Sequence, residues 1–324
     1  MKSIDYSLKD FQYEGTRTFF FRIEDAFMPG KFLDMYDTWL PIGVDLTCAE
    51  FHELFEVYCN YYDSGECKTA DDLCGEEAIY YKLPHIKDKV MEALEAQAPK
   101  YYGEDIIPVV DQFNVYFPHE FQDAHMDLKE GIEPLVLKTF DIQENGEFLS
   151  ECSVFSEGKL NIPDGVKKFR LAAVNNCTRI TEVYMPDSVV EMDSMTFEDC
   201  YSLRSIRLSE NLKSIPMATF ETCVFLKELT IPETVEEIEK YAFNYCLSLE
   251  KLTIKSKRCT FAQGVFTGCN ALKEIHFALT EIDNVGYIFP DSIVNNATLY
   301  VPATKLDDYK KHRHFGLFKT IIPE

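Results

Sequence analysis

From residue 160 onward, apolar positions recur on a fixed step. Cys177, Cys200, Cys223, Cys246 and Cys269 are each 23 residues apart, and Phe197, Phe220, Phe243, Phe266 and Phe289 form a second column three residues ahead of a cysteine or its equivalent. Ile180, Leu203, Leu226, Leu249 and Leu272 follow three residues after each cysteine. Two further columns, Val183, Ile206, Leu229, Leu252, Ile275 and Met185, Leu208, Ile231, Ile254, Phe277, are two residues apart. Side chains two apart on a strand share a face, so these columns predict one short strand per repeat with its apolar side inward. A second series, Val189, Leu212, Val235 with Met192, Ile215, Ile238, predicts an opposite wall. Pro163, Pro186 and Pro232 stand just after the strand, where a fixed φ and a missing N–H help turn the chain.

A unit of 23 residues cannot bury its apolar side alone, so neighbouring units must stack into a solenoid. The period lies in the leucine-rich-repeat range, and the words "PDSVVEMDSMTFEDC", "LKSIPMATFETC" and "IPETVEEIEKYAFNYC" resemble the BspA-like leucine-rich-repeat family. The resemblance covers residues 160 to about 290, and "LYVPATKLDDYKKHRHFGLFKTIIPE" is similar to that family's terminal cap. It implies a right-handed coil over residues 156–324, protein or surface recognition, and no catalytic residue to carry over. Family members are mostly bacterial and often displayed at cell surfaces. Departures gather late: Lys255 and Ala278 replace the proline, and Arg258, Glu281 and Asn284 stand at core positions. About six coils at ~4.8 Å each give a solenoid ~30 Å long.

The same columns place candidate binding residues on the solvent side of the strand. One exposed column is Tyr184, Arg207, Thr230, Thr253 and His276; the other holds Glu182, Ser205, Glu228, Lys251 and Glu274. Stacking brings successive cysteines within reach of a disulfide. Five in a row cannot all pair, however, and free cysteine behaves as a small core hydrophobe. A ladder of single sulfurs also lacks the converging set that zinc requires.

Residues 1–130 show no repeat and read as an α+β domain. "DFQYEGTRTFFFRIE" predicts two strands about Glu14-Gly15, and "QFNVYF" predicts a half-buried strand with Phe113, Val115 and Phe117 inward. "TCAEFHELFEVYCNYY" predicts a helix: Thr47 and Glu50 form a capping box, and Phe51, Leu54, Phe55 and Tyr58 make one apolar stripe. "LPHIKDKVMEALEAQAP" predicts another, with Ile86, Val90 and Leu94 on one face and Pro99 beyond its end. Residues 131–155 predict a hairpin about Asn145-Gly146 that caps the open end of the solenoid.

Charge sharpens the division. Net charge is -23, and residues 1–150 carry 31 acidic against 12 basic side chains, leaving 24 against 20 for the remainder. An acidic surface repels phosphate backbones, so a protein partner is expected rather than nucleic acid, and the charge allows a basic one. No run approaches the ~18 apolar residues of a membrane span. "MKSIDYSLKD" lacks the pattern of a signal peptide, so the chain reads as cytoplasmic, or as surface-displayed or secreted if a leader has been lost. Phosphate loops, the G-x-S-x-G elbow and H-E-x-x-H are absent, and no cofactor is expected. The nearest approach to a metal site is His119, Glu120, Asp123 and His125, which would converge only on a loop. The leading expectation is a non-enzymatic recognition protein. Alternatives are an enzyme with its site in the N-terminal domain and the solenoid as a targeting arm, a structural or oligomerising solenoid, and an acidic inhibitor or immunity-type protein that masks a basic partner.

Overall fold

The structure, a computed structural model, describes residues 12–25, 40–65, 83–102, 113–118, 121, 147–148 and 157–324. The chain divides into two compact units, Met1–Val136 and Leu137–Glu324.

In the first unit β1 (Thr16–Asp25) runs between β2 (Leu40–Thr47) and β3 (Phe113–Tyr116), antiparallel to both. Phe19, Phe20 and Phe21 are all buried. Consecutive strand residues point to opposite faces, so β1 is covered on both sides. Helix α1 (Cys48–Ser64) begins where β2 ends, because Thr47 caps it: its hydroxyl accepts from the Glu50 N–H, while its own N–H donates to the Glu50 carboxylate at 2.8 Å. Gly65, at φ 78°, closes the helix in the left-handed region. The stripe Phe51, Leu54, Phe55 and Tyr58 is buried as its spacing requires, with Phe51 stacked on Phe19 at 5.0 Å and Phe121 set edge-on to Phe51, Phe55 and Tyr58.

Helix α2 (Pro84–Tyr102) buries Ile86, Val90 and Leu94, and its Gln97 side chain bonds both the N–H and the C=O of Gly43. Pro99 does not lie beyond this helix as expected; the helix continues through it to Tyr102. The proline has no N–H to give the Glu95 carbonyl, so the helix continues with one bond of its ladder missing. The pair of strands about Glu14-Gly15 is also corrected: Gln12–Gly15 are not strand, and β1 finds its partners at β2 and β3. Phe117, just past β3, is buried as expected, but Tyr116 at the end of the strand is buried as well, so the alternation of buried and exposed residues is not kept.

The second unit is a stack of coils joined by parallel pairing. On one wall lie β5 (Glu157–Asn161), β7 (Arg179–Tyr184) and β9 (Ser205–Arg207), then β11 (Glu228–Ile231), β13 (Lys251–Ile254), β15 (Glu274–Phe277), β16 (Thr298–Val301) and β17 (Thr320–Pro323). Glu228, Lys251 and Glu274 align in register, reproducing the 23-residue step. As far as β14 the coils also carry a second, two-residue strand besides the expected one: β4 (Glu147–Phe148), β6 (Lys168–Phe169), β8 (Glu191–Met192), β10 (Ser214–Ile215), β12 (Glu237–Ile238) and β14 (Thr260–Phe261). Of the expected hairpin about Asn145-Gly146 only β4 is described; it pairs in parallel with β6 as a further rung, and the rest of 131–155 lies outside the described residues.

Between the two strands, the arc carrying phenylalanine and cysteine forms its own ladder. Ala218, Phe220 and Thr222 donate their N–H groups to Lys240, Ala242 and Asn244 of the next coil at 2.8 to 3.1 Å. Two residues per coil adopt positive φ to aim these groups, in the columns Ala172, Met195, Ala218, Tyr241, Gly264 and Asn176, Asp199, Thr222, Tyr245, Gly268. The Phe197, Phe220, Phe243 and Phe266 rings stack with centroids 5.4 to 5.6 Å apart, and Phe289 closes the column at 4.9 Å. All five column cysteines are fully buried and free. The thiols of Cys200, Cys223, Cys246 and Cys269 donate to the carbonyls of Val174, Phe197, Phe220 and Phe243.

The late departures resolve differently from the expectation. Arg258, Glu281 and Asn284 occupy the aligned positions but point to solvent, and Cys259, Ile282 and Val285 fill the core instead. At these points the next residue turns inward while the backbone keeps its pairing, with Thr260 and Phe261 still opposite Glu237 and Ile238, because a charged side chain inside the stack would cost far more than a local turn.

Candidate functional site

The strand wall that begins at β5 presents the predicted columns outward. Glu182, Tyr184, Ser205, Glu228, Thr230, Lys251 and Glu274 are exposed, Arg207, Thr253 and His276 are half-buried, and the alternating residues are in the core, except Ile206, which is partly buried against it. The face is not uniform. In its middle Thr230 and Thr253 sit in register, flanked by Lys251, which lies 3.6 Å from Glu274.

At one end Arg207 lies over the Tyr184 ring, its guanidinium carbon 5.2 Å from the centroid. It is held there by Asp187 at 2.7 Å and by a bond donated to the Met185 carbonyl. The bonds that Asp187 accepts from Arg207 and from the Glu210 N–H hold its carboxyl below the usual range, and the same partner raises Arg207. Tyr184 keeps 45% of its surface exposed, the largest aromatic area on this face. The result is a flat, anchored aromatic-cation pair, the type of group that forms binding hot spots.

At the other end His276 is sequestered. Its ring stacks on Tyr300 with centroids 4.3 Å apart, Nδ1 lies 2.9 Å from Glu324 Oε2, and Glu274 is 3.6 Å from Nε2. Only 20% of the side chain is exposed. His276 therefore stands on the predicted face with its ring already engaged. Tyr300, Asp187 and Glu324 are contributors that column counting missed. Tyr300 continues the His276 column, but it aligns 24 residues on instead of 23, so one extra residue hides it. Asp187 could have been found from its place beside Pro186 at the strand exit.

Among the described residues no group of three or more His, Cys, Asp or Glu side chains could hold a metal, and no helix is long and apolar enough to cross a membrane. His119, Glu120, Asp123 and His125 lie outside the described residues.

The in-register coils and their cysteine and phenylalanine ladders meet an independent finding: the family model for the BspA type leucine rich repeat region matches six copies, over residues 144–273 and 197–309. The chain belongs to the BspA-type leucine-rich-repeat family. Among solved structures, this BspA-type chain is similar to a leucine-rich cell surface protein from Faecalibacterium prausnitzii, 30% identical over 40% of this chain and 34% of that one, with a TM-score of 0.37. It is similar also to the T. pallidum leucine-rich repeat protein, at 25% identity over 37% of this chain and 58% of that one, with a TM-score of 0.35. A leucine-rich repeat protein from Bacteroides ovatus is 26% identical over 46% of this chain and 48% of that one, TM-score 0.30. The chain thus spans between a third and three fifths of the length of these relatives. Curated proteins supply no match.

Proposed function

We propose that this BspA-type chain is a non-enzymatic recognition protein that binds a protein partner along the exposed strand face, with Tyr184 and Arg207 as its principal contact. The single observation that carries this reading is the anchored pair itself. Arg207 is fixed by Asp187 and Met185, so little side-chain freedom is lost when a partner packs on it, and Tyr184 offers exposed aromatic area beside it. Thr230, Thr253, Lys251, Glu228, Glu182 and Glu274 extend the surface along the stack, and His276 contributes through its ring edge. The naming of one similar protein as a cell surface protein favours display at a surface over a cytoplasmic place. The 31 acidic against 12 basic residues in the first 150 favour a basic partner, whose approach a negative field would accelerate.

The test is capture from the native source followed by comparison of variants. Tyr184→Ala with Arg207→Ala should weaken the captured partner at least tenfold while thermal stability stays nearly unchanged. Association should slow as salt rises from 50 to 500 mM, since screening shortens the Debye length to below ~10 Å. Undiminished binding by the double variant moves the contact off this face.

A further inference from the structure

On the opposite wall β14 is the last strand of its sheet, and its outer edge is left without a strand partner among the described residues. Up to β14 each coil bonds the next: Thr260 N–H donates to Glu236 and Ala262 N–H to Ile238, both at 2.9 Å. The following coil does not repeat this. Thr280 and Glu281 donate to Lys257, after which the Val285 N–H turns back onto Ile282 of its own coil. Among the described residues no later coil takes up the carbonyls of Cys259 and Phe261, which stand where Glu236 and Ile238 stand one coil earlier.

This edge lines a groove of about 530 Å³ bounded by Glu236, Arg258, Thr260, Glu281, Asp283 and Val285. The volume lies within the range of ligand-binding clefts, and from the β14 side it is lined by Thr260 and the buried Cys259. Its rim holds three carboxylates against one guanidinium, and that guanidinium is already 3.5 Å from Glu236. Glu281 and Asp283 are exposed; Asp283 also borders a cleft shared with Lys311, His312 and Arg313, whereas Glu281 faces only the groove rim.

We propose that this groove is a second binding surface, at which an extended basic segment of a protein partner adds as a strand to the edge of β14. Backbone donors of the segment would take up the Cys259 and Phe261 carbonyls, and alternate lysine or arginine side chains would meet Glu281, Asp283 and Glu236. Strand addition of this kind draws affinity from main-chain bonds and selectivity from alternate side chains. The carboxylates select cations, and a two-residue strand with a charged rim discourages pairing with a flat apolar edge. The surface is independent of the Tyr184 face, so either assignment can fail without the other.

The experiment uses the full chain and fluorescence anisotropy with a panel of labelled ten-residue peptides alternating lysine or arginine with valine, threonine or isoleucine. A matched panel carries glutamate in place of the basic residues. Basic members should bind at least tenfold more tightly than acidic ones. N-methylation of alternate amides in the best binder should cost at least tenfold in one of the two possible phases and little in the other. Glu281→Lys with Asp283→Lys, both at exposed positions, should weaken binding by at least tenfold, and Tyr184→Ala should leave it unchanged. The proposal is overturned by a panel without a binder, by binding that ignores N-methylation in both phases, or by an equal loss in Tyr184→Ala. A concentration-dependent dimer that the Glu281→Lys, Asp283→Lys variant dissolves would also overturn it, assigning the edge to a second copy of the chain.

Discussion

The thiol of Cys246 donates to the carbonyl oxygen of Phe220 at 3.2 Å, across the boundary between two coils. The cysteine column therefore both fills the core and links the coils: each sulfur occupies a small apolar space, and its thiol is a second donor to a carbonyl of the preceding coil, as at Phe220, whose oxygen also accepts from the Cys223 N–H at 3.2 Å. Burial pushes the Cys223 and Cys246 thiols well above their ordinary range, which leaves almost no thiolate to react. Thiol labelling of the native protein should spare Cys200, Cys223 and Cys246 until denaturant unfolds the solenoid, as read by mass spectrometry of labelled peptides. Rapid native labelling of all three would contradict the assignment.

Phe243 sits in the middle of the ring stack, 5.5 Å from Phe220 and 5.4 Å from Phe266, with no exposed surface. Phe243→Ala removes a ring from both neighbours at once and opens a cavity that rigid coils cannot close. The expected loss is about 3–5 kcal/mol in urea unfolding. A change below about 1 kcal/mol would mean that the stack collapses around the gap.

Gly268 illustrates how strictly one column is constrained. It holds φ 76°, and a Cβ there would stand 2.6 Å from Cδ1 of Tyr245, the residue at the same position one coil earlier. Gly268→Ala adds left-handed strain of about 1–2 kcal/mol to the displacement of that ring. The melting temperature should fall, whereas Ala218→Gly in the neighbouring positive-φ column should change stability by no more than about 1 kcal/mol.

Glu198 and Glu221 occupy equivalent positions on adjacent coils, capped by amide donors at 2.7 Å from Asn175 and Asn244 respectively. Burial, then the charges of Asp199 and Glu221, push the Glu198 carboxyl up to about 8, against the opposing bond from Asn175. Burial also raises Glu221 to about 7, with the Asn244 bond opposing and Asp199 adding to it. Both folded values exceed the ordinary 4.5, so the neutral acids favour the fold. Their contribution is complete below pH 4.5 and is lost as pH rises through 7 and 8. Urea unfolding should show stability falling between pH 5 and pH 9. Glu198→Gln with Glu221→Gln should flatten that slope; an unchanged slope would place the titration elsewhere.

Much of this was legible in the chain. The 23-residue step assigned the core columns, because stacked coils of equal length must put equivalent residues in contact, and Thr47, Glu50 and the Phe51 stripe marked the start and buried face of α1. The second strand in each coil was less legible, since two residues carry no periodicity of their own. Spacing placed Arg207 and His276 on the outer face, but it could not say that Asp187 pins one and Tyr300 covers the other, because those partners come from a turn and from a coil offset by one extra residue. The sequence marked Arg258, Glu281 and Asn284 as breaks in the pattern. Only the packed structure decided that Cys259, Ile282 and Val285 would turn inward beside them to keep them in water, and that the edge of β14 would be left open. A sequence determines which positions must be apolar for coils to stack; where a coil departs from the rule, the outcome depends on desolvation and on backbone pairing with its neighbours, and these exist only once the coils have met.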